Sequence, residues 1–231
     1  MSKGTHWEWR GFGTLTQDSR DAFERRPLKF VEGPAWDETK DEYIWIPGAA
    51  INVKLRTGGV EEGLKLKRFV RREKDLELWF ENPVELYPFN RLDAATLTKL
   101  ADILGLRFGK IPDPPLTAAN ILEVFRQGSP KPSVVTVYKR RQTRLHSDTV
   151  QIELAFIKTV TIDDANVALG TALTSIAVEN VTDVTSLSPD QVNGARDEID
   201  TAITSLELRV AGFEEKNYLR AIAEWTTAAR E

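Results

Sequence analysis

Charged and apolar residues alternate along several short segments of the chain. In an extended strand, residues two positions apart point to the same face. The segment from His6 to Thr14 therefore places Glu8 and Arg10 on one face. Trp7 and Trp9 lie on the opposite face. This pattern predicts a strand with one charged and one apolar side.

The same alternation places two basic residues on one face in each of the segments NVKLR, LKLKR and VYKRR. The pairs are Lys54 with Arg56, Lys65 with Lys67, and Lys139 with Arg141. Like charges opposed across neighbouring strands destabilise a sheet by up to about 1 kcal/mol per pair, so we expect an anion among them. Strands of this kind can close into a barrel with a polar lumen.

Helical periodicity interrupts and follows the strands. A helix is predicted between Asn90 and Leu106, with Asn90 as its cap and Gly105 as its end. Thr117 begins a shorter helix, and QDSRDAFERR is a polar stretch between strands. SVVTVYKRRQTRL and TVQIELAFIKTVTI predict a hairpin. From Ser188 the pattern is helical, with a last helix from about Asn217 to Arg230.

These elements predict one α+β domain over residues 1–231, an antiparallel β-barrel with flanking helices. The C-terminal helices occupy about 188–231. Their apolar stripes could cap the barrel or pair with a second subunit, so a homodimer is one of the alternatives.

Composition excludes several classes of function. The formal net charge is -4, so any anion site must be local, and nucleic acid and membranes are not expected partners. The absence of cysteine excludes disulfides, thiolate zinc sites and a cysteine nucleophile. Only His6 and His146 are histidines, so a metal would be held by carboxylates and would be Mg²⁺ or Mn²⁺. No apolar signal or membrane-length run is visible, so the expected location is the cytoplasm.

Three glutamates lie inside otherwise apolar segments: Glu8, Glu153 and Glu179. A buried carboxylate is costly unless it is paired or bound to a metal. We expect Glu8 and Glu179 to be metal ligands. A salt bridge to a neighbouring strand is the alternative, above all for Glu153.

The order of these motifs resembles the CYTH superfamily, the triphosphate tunnel metalloenzymes, over most of residues 5–182. HWEWR corresponds to the ExExK motif of that family. Glu8 matches the second glutamate of the motif, and Arg10 matches its lysine. The three basic segments, VQIELAFIK and TSIAVEN follow in family order. His6 replaces the first acid, Arg10 replaces the lysine, and Glu179 is alone where the family often has two glutamates.

The resemblance implies metal-dependent hydrolysis of an inorganic or organic triphosphate in a basic tunnel. Glu8 and Glu179 would bind Mg²⁺ or Mn²⁺, and Glu153 would position the attacking water. Adenylate cyclisation is another activity of the family. The implied substrate-binding residues are Arg10, Lys54, Arg56, Lys65, Lys67, Lys139 and Arg141.

Two alternatives remain. The barrel could bind a polyphosphate or a protein partner without catalysis, as the reduced acidic set would favour. The charged strands could instead face water in a purely structural protein. Nucleic acid is disfavoured because the aromatic residues alternate away from the basic face. All of these proposals for a lumen depend on inward orientation of the charged side chains.

Overall fold

The computed structural model describes residues 4–29, 35–81, 89, 92–167, 173–209 and 211–229. The strands are β1 Thr5–Gly13, β2 Asp37–Trp45, β3 Ile51–Thr57, β4 Gly63–Glu73, β5 Leu76–Glu81, β6 Ser133–Leu145, β7 Val150–Ile162, β8 Ala165–Val167, β9 Leu173–Asn180 and β10 Glu214–Glu215. The helices are α1 Gln17–Glu24, α2 Ala94–Leu104, α3 Ala118–Arg126, α4 Pro189–Ser205 and α5 Tyr218–Ala228. A 3₁₀ turn spans Val184–Ser186.

Eight of the described strands close into a ring. The order around it is β1, β5, β4, β3, β2, β6, β7 and β9, and β9 pairs again with β1. Every pairing is antiparallel. The predicted α+β fold, an antiparallel barrel with flanking helices, is confirmed.

Outside the barrel, apolar strand faces are covered by helices. Trp7 and Trp9 are buried under α4 in a cluster that includes Ile199 and Ile203. On another side, α2 and α3 cover Leu55 of β3 and its neighbours. Where helices cover the strands, apolar residues such as Trp7 and Leu55 point outward to the helices and charged residues such as Glu8 and Arg56 point inward.

Helix α5 fills one end of the lumen. Its Tyr218 and Ile222 pack with Phe12, Tyr43 and Val137, which lie on the inward strand faces. The ring of Tyr218 stacks on that of Tyr43 with centroids 5.2 Å apart. The C-terminal helices therefore have different roles, since α4 covers the outer wall and α5 caps the barrel.

Helix boundaries follow local chemistry. Thr117 caps α3 and Ser188 caps α4, as expected. Gly105 ends α2 in the left-handed region, with φ of 67°. The N-cap of α2 is Asp93, whose side chain accepts from the Thr96 amide. The expected cap, Asn90, lies outside the described residues.

The polar stretch after β1 contains a helix that its composition hid. Thr16 caps α1, and Phe23 is its buried anchor against the outer cluster. A single buried aromatic residue among charges gives a weak periodic signal, so tertiary packing decides the structure here. Among the described helices, none has the length and apolar character needed to cross a bilayer.

Candidate active site in the barrel lumen

The lumen holds a charged cavity of about 750 Å³, including its open mouth. Six of the seven predicted substrate-binding residues line it, as do all three predicted glutamates. The inward orientation on which the sequence proposals depend is therefore observed. The charged lining residues are Glu8, Arg10, Lys29, Lys54, Arg56, Glu61, Lys65, Lys67, Glu81, Arg141, Glu153 and Glu179.

Strand register brings like charges face to face. Lys54 of β3 lies directly opposite Lys65 of β4. Glu8 of β1 lies directly opposite Glu179 of β9. Such pairs are unfavourable by themselves, so each set needs counter-charges from other strands. The barrel supplies them in two regions.

The first region is the basic wall, formed by Lys54, Arg56, Lys65, Lys139 and Arg141 around the acids Asp41, Glu61 and Glu153. Asp41 is fully buried and is its centre. Arg56 donates to both oxygens of this carboxylate, at 2.6 Å and 2.8 Å. Lys54 and Lys139 approach the Asp41 Oδ2 atom at 3.2 Å and 3.1 Å. Burial alone would raise the pKa of Asp41, but Arg56, Lys139 and Lys54 hold it well below its ordinary value.

Glu61 is the counter-ion of two other cations of the same wall, Lys65 and Arg141. It follows the Gly58–Gly59 turn, where both glycines have positive φ. Its Oε2 atom lies 3.0 Å from both Lys65 and Arg141. Burial lowers the pKa of Lys65, and neighbouring Arg56 lowers it further, to about 8, although Glu61 opposes the shift.

Glu153 is paired, as the salt-bridge alternative expected. Arg141 Nη1 donates to it at 2.8 Å, and Arg10 Nη1 lies 3.6 Å away. Burial would raise the pKa of Glu153, but Lys139, Arg141 and Arg10 hold it well below its ordinary value. Glu153 is therefore an anion at neutral pH and a poor proton acceptor.

Lys139 is the predicted substrate-binding residue that the cavity lining does not include. Its side chain is fully buried between Asp41 and the Tyr218 ring, whose centroid lies 5.0 Å from Nζ. Lys139 therefore lies behind the cavity surface, where it stabilises Asp41.

The second region is the acidic cluster, formed by His6, Glu8, Glu81 and Glu179 around Lys67. The Lys67 ammonium lies 2.9 Å from Glu8, 3.0 Å from Glu81 and 3.4 Å from Glu179. His6 Nε2 is 3.3 Å from the same nitrogen. Lys67 thus contacts every member of the cluster.

Within this cluster, His6, Glu8 and Glu179 fit a divalent metal. Each offers one ligand atom, and the three atoms lie within 4.8 Å of one another. Two carboxylates and an imidazole suit Mn²⁺, and the carboxylates suit Mg²⁺. Burial and Lys67 would lower the pKa of His6, but hydrogen bonds to Glu179 and Glu8 raise it to about 9. Metal binding would have to displace that proton.

Sequence reasoning missed four of these residues, and the alternation rule could have found most of them. Asp41 shares a strand face with Tyr43 in DETKDEYIW, and Glu81 shares one with Trp79 in LELWFE. Each of these acids alternates with a buried aromatic residue on the inward face of its strand. The sequence identifies His6 only as the residue that replaces the first acid of the ExExK motif. Glu61 lies in a turn and carries no such signal.

No protein-family model matches the chain, and no curated protein does. Among solved structures, a Pyrococcus horikoshii OT3 protein is similar, with 15% identity, a TM-score of 0.49, and coverage of 95% of this chain and 98% of the other. A Mimivirus capping-enzyme triphosphatase has 9% sequence identity and a TM-score of 0.42, and the match covers 87% of this chain and 90% of the other. A Hippeastrum protein described as having a dominant triphosphatase activity has 10% sequence identity and a TM-score of 0.39, and the match covers 92% of this chain and 90% of the other. The closed barrel and its inward charges, observed directly, agree with the fold that the CYTH resemblance implies.

Proposed function

We propose that the chain is a divergent CYTH protein that hydrolyses a triphosphate-bearing small molecule with the help of Mg²⁺ or Mn²⁺. One observation carries this proposal: the basic wall and the acidic cluster face the same cavity. A polyanion and a cation can therefore bind within contact of each other.

Charge supports the pairing of substrate with metal. The cavity lining has seven basic and five acidic side chains, an excess of two positive charges. A triphosphate carries more negative charge than this excess neutralises. A divalent cation beside the phosphates would supply the remainder, so substrate and metal should bind together.

The basic wall is the proposed phosphate site. Arg56 and Arg141 offer planar forked donors, while Lys54 and Lys65 offer point charges, and this mixture suits several phosphate groups. Their present partners are Asp41, Glu61 and Glu153, so substrate would share these cations with fixed acids. Arg10 completes the set from β1, beside Glu8 at 2.8 Å.

Glu8 and Glu179, joined by His6, would hold the metal, which would neutralise developing charge on phosphate oxygens. Glu153 keeps its proposed role of positioning the attacking water. Because its pKa is held low, it would orient the water by accepting a hydrogen bond and would remove no proton itself. Positioning and electrostatic stabilisation suffice for phosphoryl transfer.

The direct test measures phosphate release from tripolyphosphate with Mg²⁺ or Mn²⁺. We expect Glu8→Gln to lower kcat by at least about 100-fold, because it weakens the metal site. Lys54→Met should raise KM by about tenfold through the loss of a charged hydrogen bond. ATP as a second substrate, with nucleotide products identified, separates hydrolysis from cyclisation.

Lys158→Met is the matched control, since Lys158 lies on the outer face of β7 and is 53% exposed. Its kinetics should equal those of the parent chain. Equal phosphate release by the parent, Glu8→Gln and Lys54→Met proteins would remove these residues from the mechanism and refute the proposal.

A second candidate is a non-catalytic module that binds polyphosphate or a protein partner. The observation that favours it is Lys67, which occupies the centre of the acidic cluster and offsets part of its negative charge without a metal. Tight tripolyphosphate binding with no phosphate release at any metal concentration would select this function.

The remaining predictions concern organisation and partners. We propose one domain over residues 1–231, a small-molecule phosphate ligand, no nucleic-acid or membrane partner, and a cytoplasmic location. Because α5 caps the barrel and α4 covers its wall, both apolar stripes have intramolecular partners. Light scattering would test whether a homodimer forms by another surface.

A further inference from the structure

Lys67 differs from the other lysines of the lumen in its surroundings. Lys65, two residues earlier on the same strand face, contacts one acid, Glu61, at 3.0 Å. Lys67 contacts the carboxylates of Glu8, Glu81 and Glu179. Its side chain is 18% exposed, so it can reach the cavity as well as the cluster.

The Lys67 ammonium lies among the three candidate metal ligands. Lys67 Nζ lies 2.9 Å from Glu8 Oε2 and 3.4 Å from Glu179 Oε2. It lies 3.3 Å from His6 Nε2. These side chains are the three whose ligand atoms cluster within 4.8 Å. A divalent ion among them would need ligand distances of about 2.1 Å, so it could not share this space with an ammonium.

We propose that Lys67 is a tethered cation that occupies the metal position and must leave it before a metal ion can bind. This inference rests on the proposed function, because it assigns the regulation of the same metal site. The flexible four-carbon stem of lysine allows the ammonium to move from the carboxylates into the cavity. There it would meet a phosphate oxygen.

The exchange couples metal to substrate. In the absence of triphosphate, Lys67 competes with the ion for the same carboxylates. A triphosphate offers the displaced ammonium a new partner and so lowers the cost of its departure. By reciprocity, the ion must raise triphosphate affinity by the same factor.

The test measures Mn²⁺ binding without substrate, by electron paramagnetic resonance of free Mn²⁺, on the full chain. Lys67→Met and Lys67→Gln should bind Mn²⁺ at least about tenfold more tightly than the parent, because one competing charge is removed. Lys158→Met, on the outer face of β7, is the control and should leave the Mn²⁺ Kd unchanged. Circular dichroism establishes that each variant is folded. Unchanged or weaker Mn²⁺ binding by a folded Lys67 variant would overturn the proposal.

A second measurement needs no variant. Acetic anhydride acetylates accessible lysines, and peptide mass spectrometry locates the product at Lys67 or Lys65. Saturating Mg²⁺ should increase acetylation of Lys67 in the parent chain and leave Lys65 unchanged. Unchanged Lys67 acetylation would contradict displacement. Neither measurement contains a triphosphate, so a chain that releases no phosphate can still confirm the role of Lys67.

Discussion

The two regions of the lumen have opposite arrangements of charge. In the basic wall, one buried acid, Asp41, is surrounded by three cations. In the acidic cluster, the Lys67 ammonium is surrounded by three acids. Each region therefore has an excess of one sign, and the two excesses face each other across the cavity.

Burial differs between the centres of the two regions, and so does their freedom to rearrange. Asp41 and Lys139 have fully buried side chains, whereas the side chain of Lys67 is 18% exposed and that of Glu81 is 28% exposed. A buried ion pair is held in place because separating it leaves an unsolvated charge. The Asp41 centre of the basic wall is thus a fixed framework, and the acidic cluster can exchange its cation. The proposed function depends on this difference.

Replacing one acid of each region tests this contrast most strongly. Asp41→Asn leaves Arg56, Lys54 and Lys139 buried without their shared counter-ion, so we expect the free energy of unfolding to fall by about 3–5 kcal/mol. Urea denaturation at neutral pH measures it.

Glu81→Gln is the matched variant of the acidic cluster. Lys67 keeps Glu8 and Glu179, and position 81 reaches solvent, so the expected loss is below about 1 kcal/mol. Equal losses for both variants would show that the two regions do not differ as described.

Alternation was sufficient to predict much of the fold. It identified β1, the β6–β7 hairpin and the inward basic residues, because strand faces are read from local sequence. It could not show which strands are neighbours, since pairing depends on contacts remote in sequence. The return of β9 to β1, which closes the barrel and joins Glu179 to Glu8, is such a contact.

The candidate site was predictable in its cations and less so in its acids. Basic pairs such as Lys65 and Lys67 are conspicuous because two charges share a face. Single acids such as Asp41 and Glu61 became meaningful only when their cations were placed around them in space. The different environments of Lys65 and Lys67 follow from neighbouring strands and could not be read from β4 alone.

Lys54→Met should separate stability from binding within the basic wall. Burial and Arg56 hold the pKa of Lys54 well below its ordinary value, so its charge is unfavourable there. Lys54 also opposes Lys65 directly. We expect stability to stay equal or rise by up to about 1 kcal/mol, while tripolyphosphate binding weakens about tenfold. Calorimetry of binding and urea denaturation of the same sample measure both, and a large loss of stability would contradict this account.

Lys65 predicts a pH dependence of the basic wall. Its pKa is about 8 in the folded chain and 10.5 ordinarily, so the unfolded chain binds more protons between these values. Its contribution to the free energy of unfolding therefore increases with pH in that range and is constant below it. Tripolyphosphate affinity should fall above about pH 8, by at most tenfold per pH unit from this group. Lys65→Arg keeps its charge and should lack this component, and identical pH profiles for both proteins would exclude Lys65 as its source.

The smallest effect is expected outside the barrel. Lys158 and Glu38 form an ion pair at 2.6 Å, but their side chains are 53% and 60% exposed. Water and salt screen such a pair, and ordering two long side chains offsets much of its attraction. Lys158→Met should change the free energy of unfolding by less than about 0.5 kcal/mol. A loss comparable with that of Asp41→Asn would mean that charge pairing stabilises this chain without regard to burial, and the contrast between the fixed wall and the exchangeable cluster would then have no energetic basis.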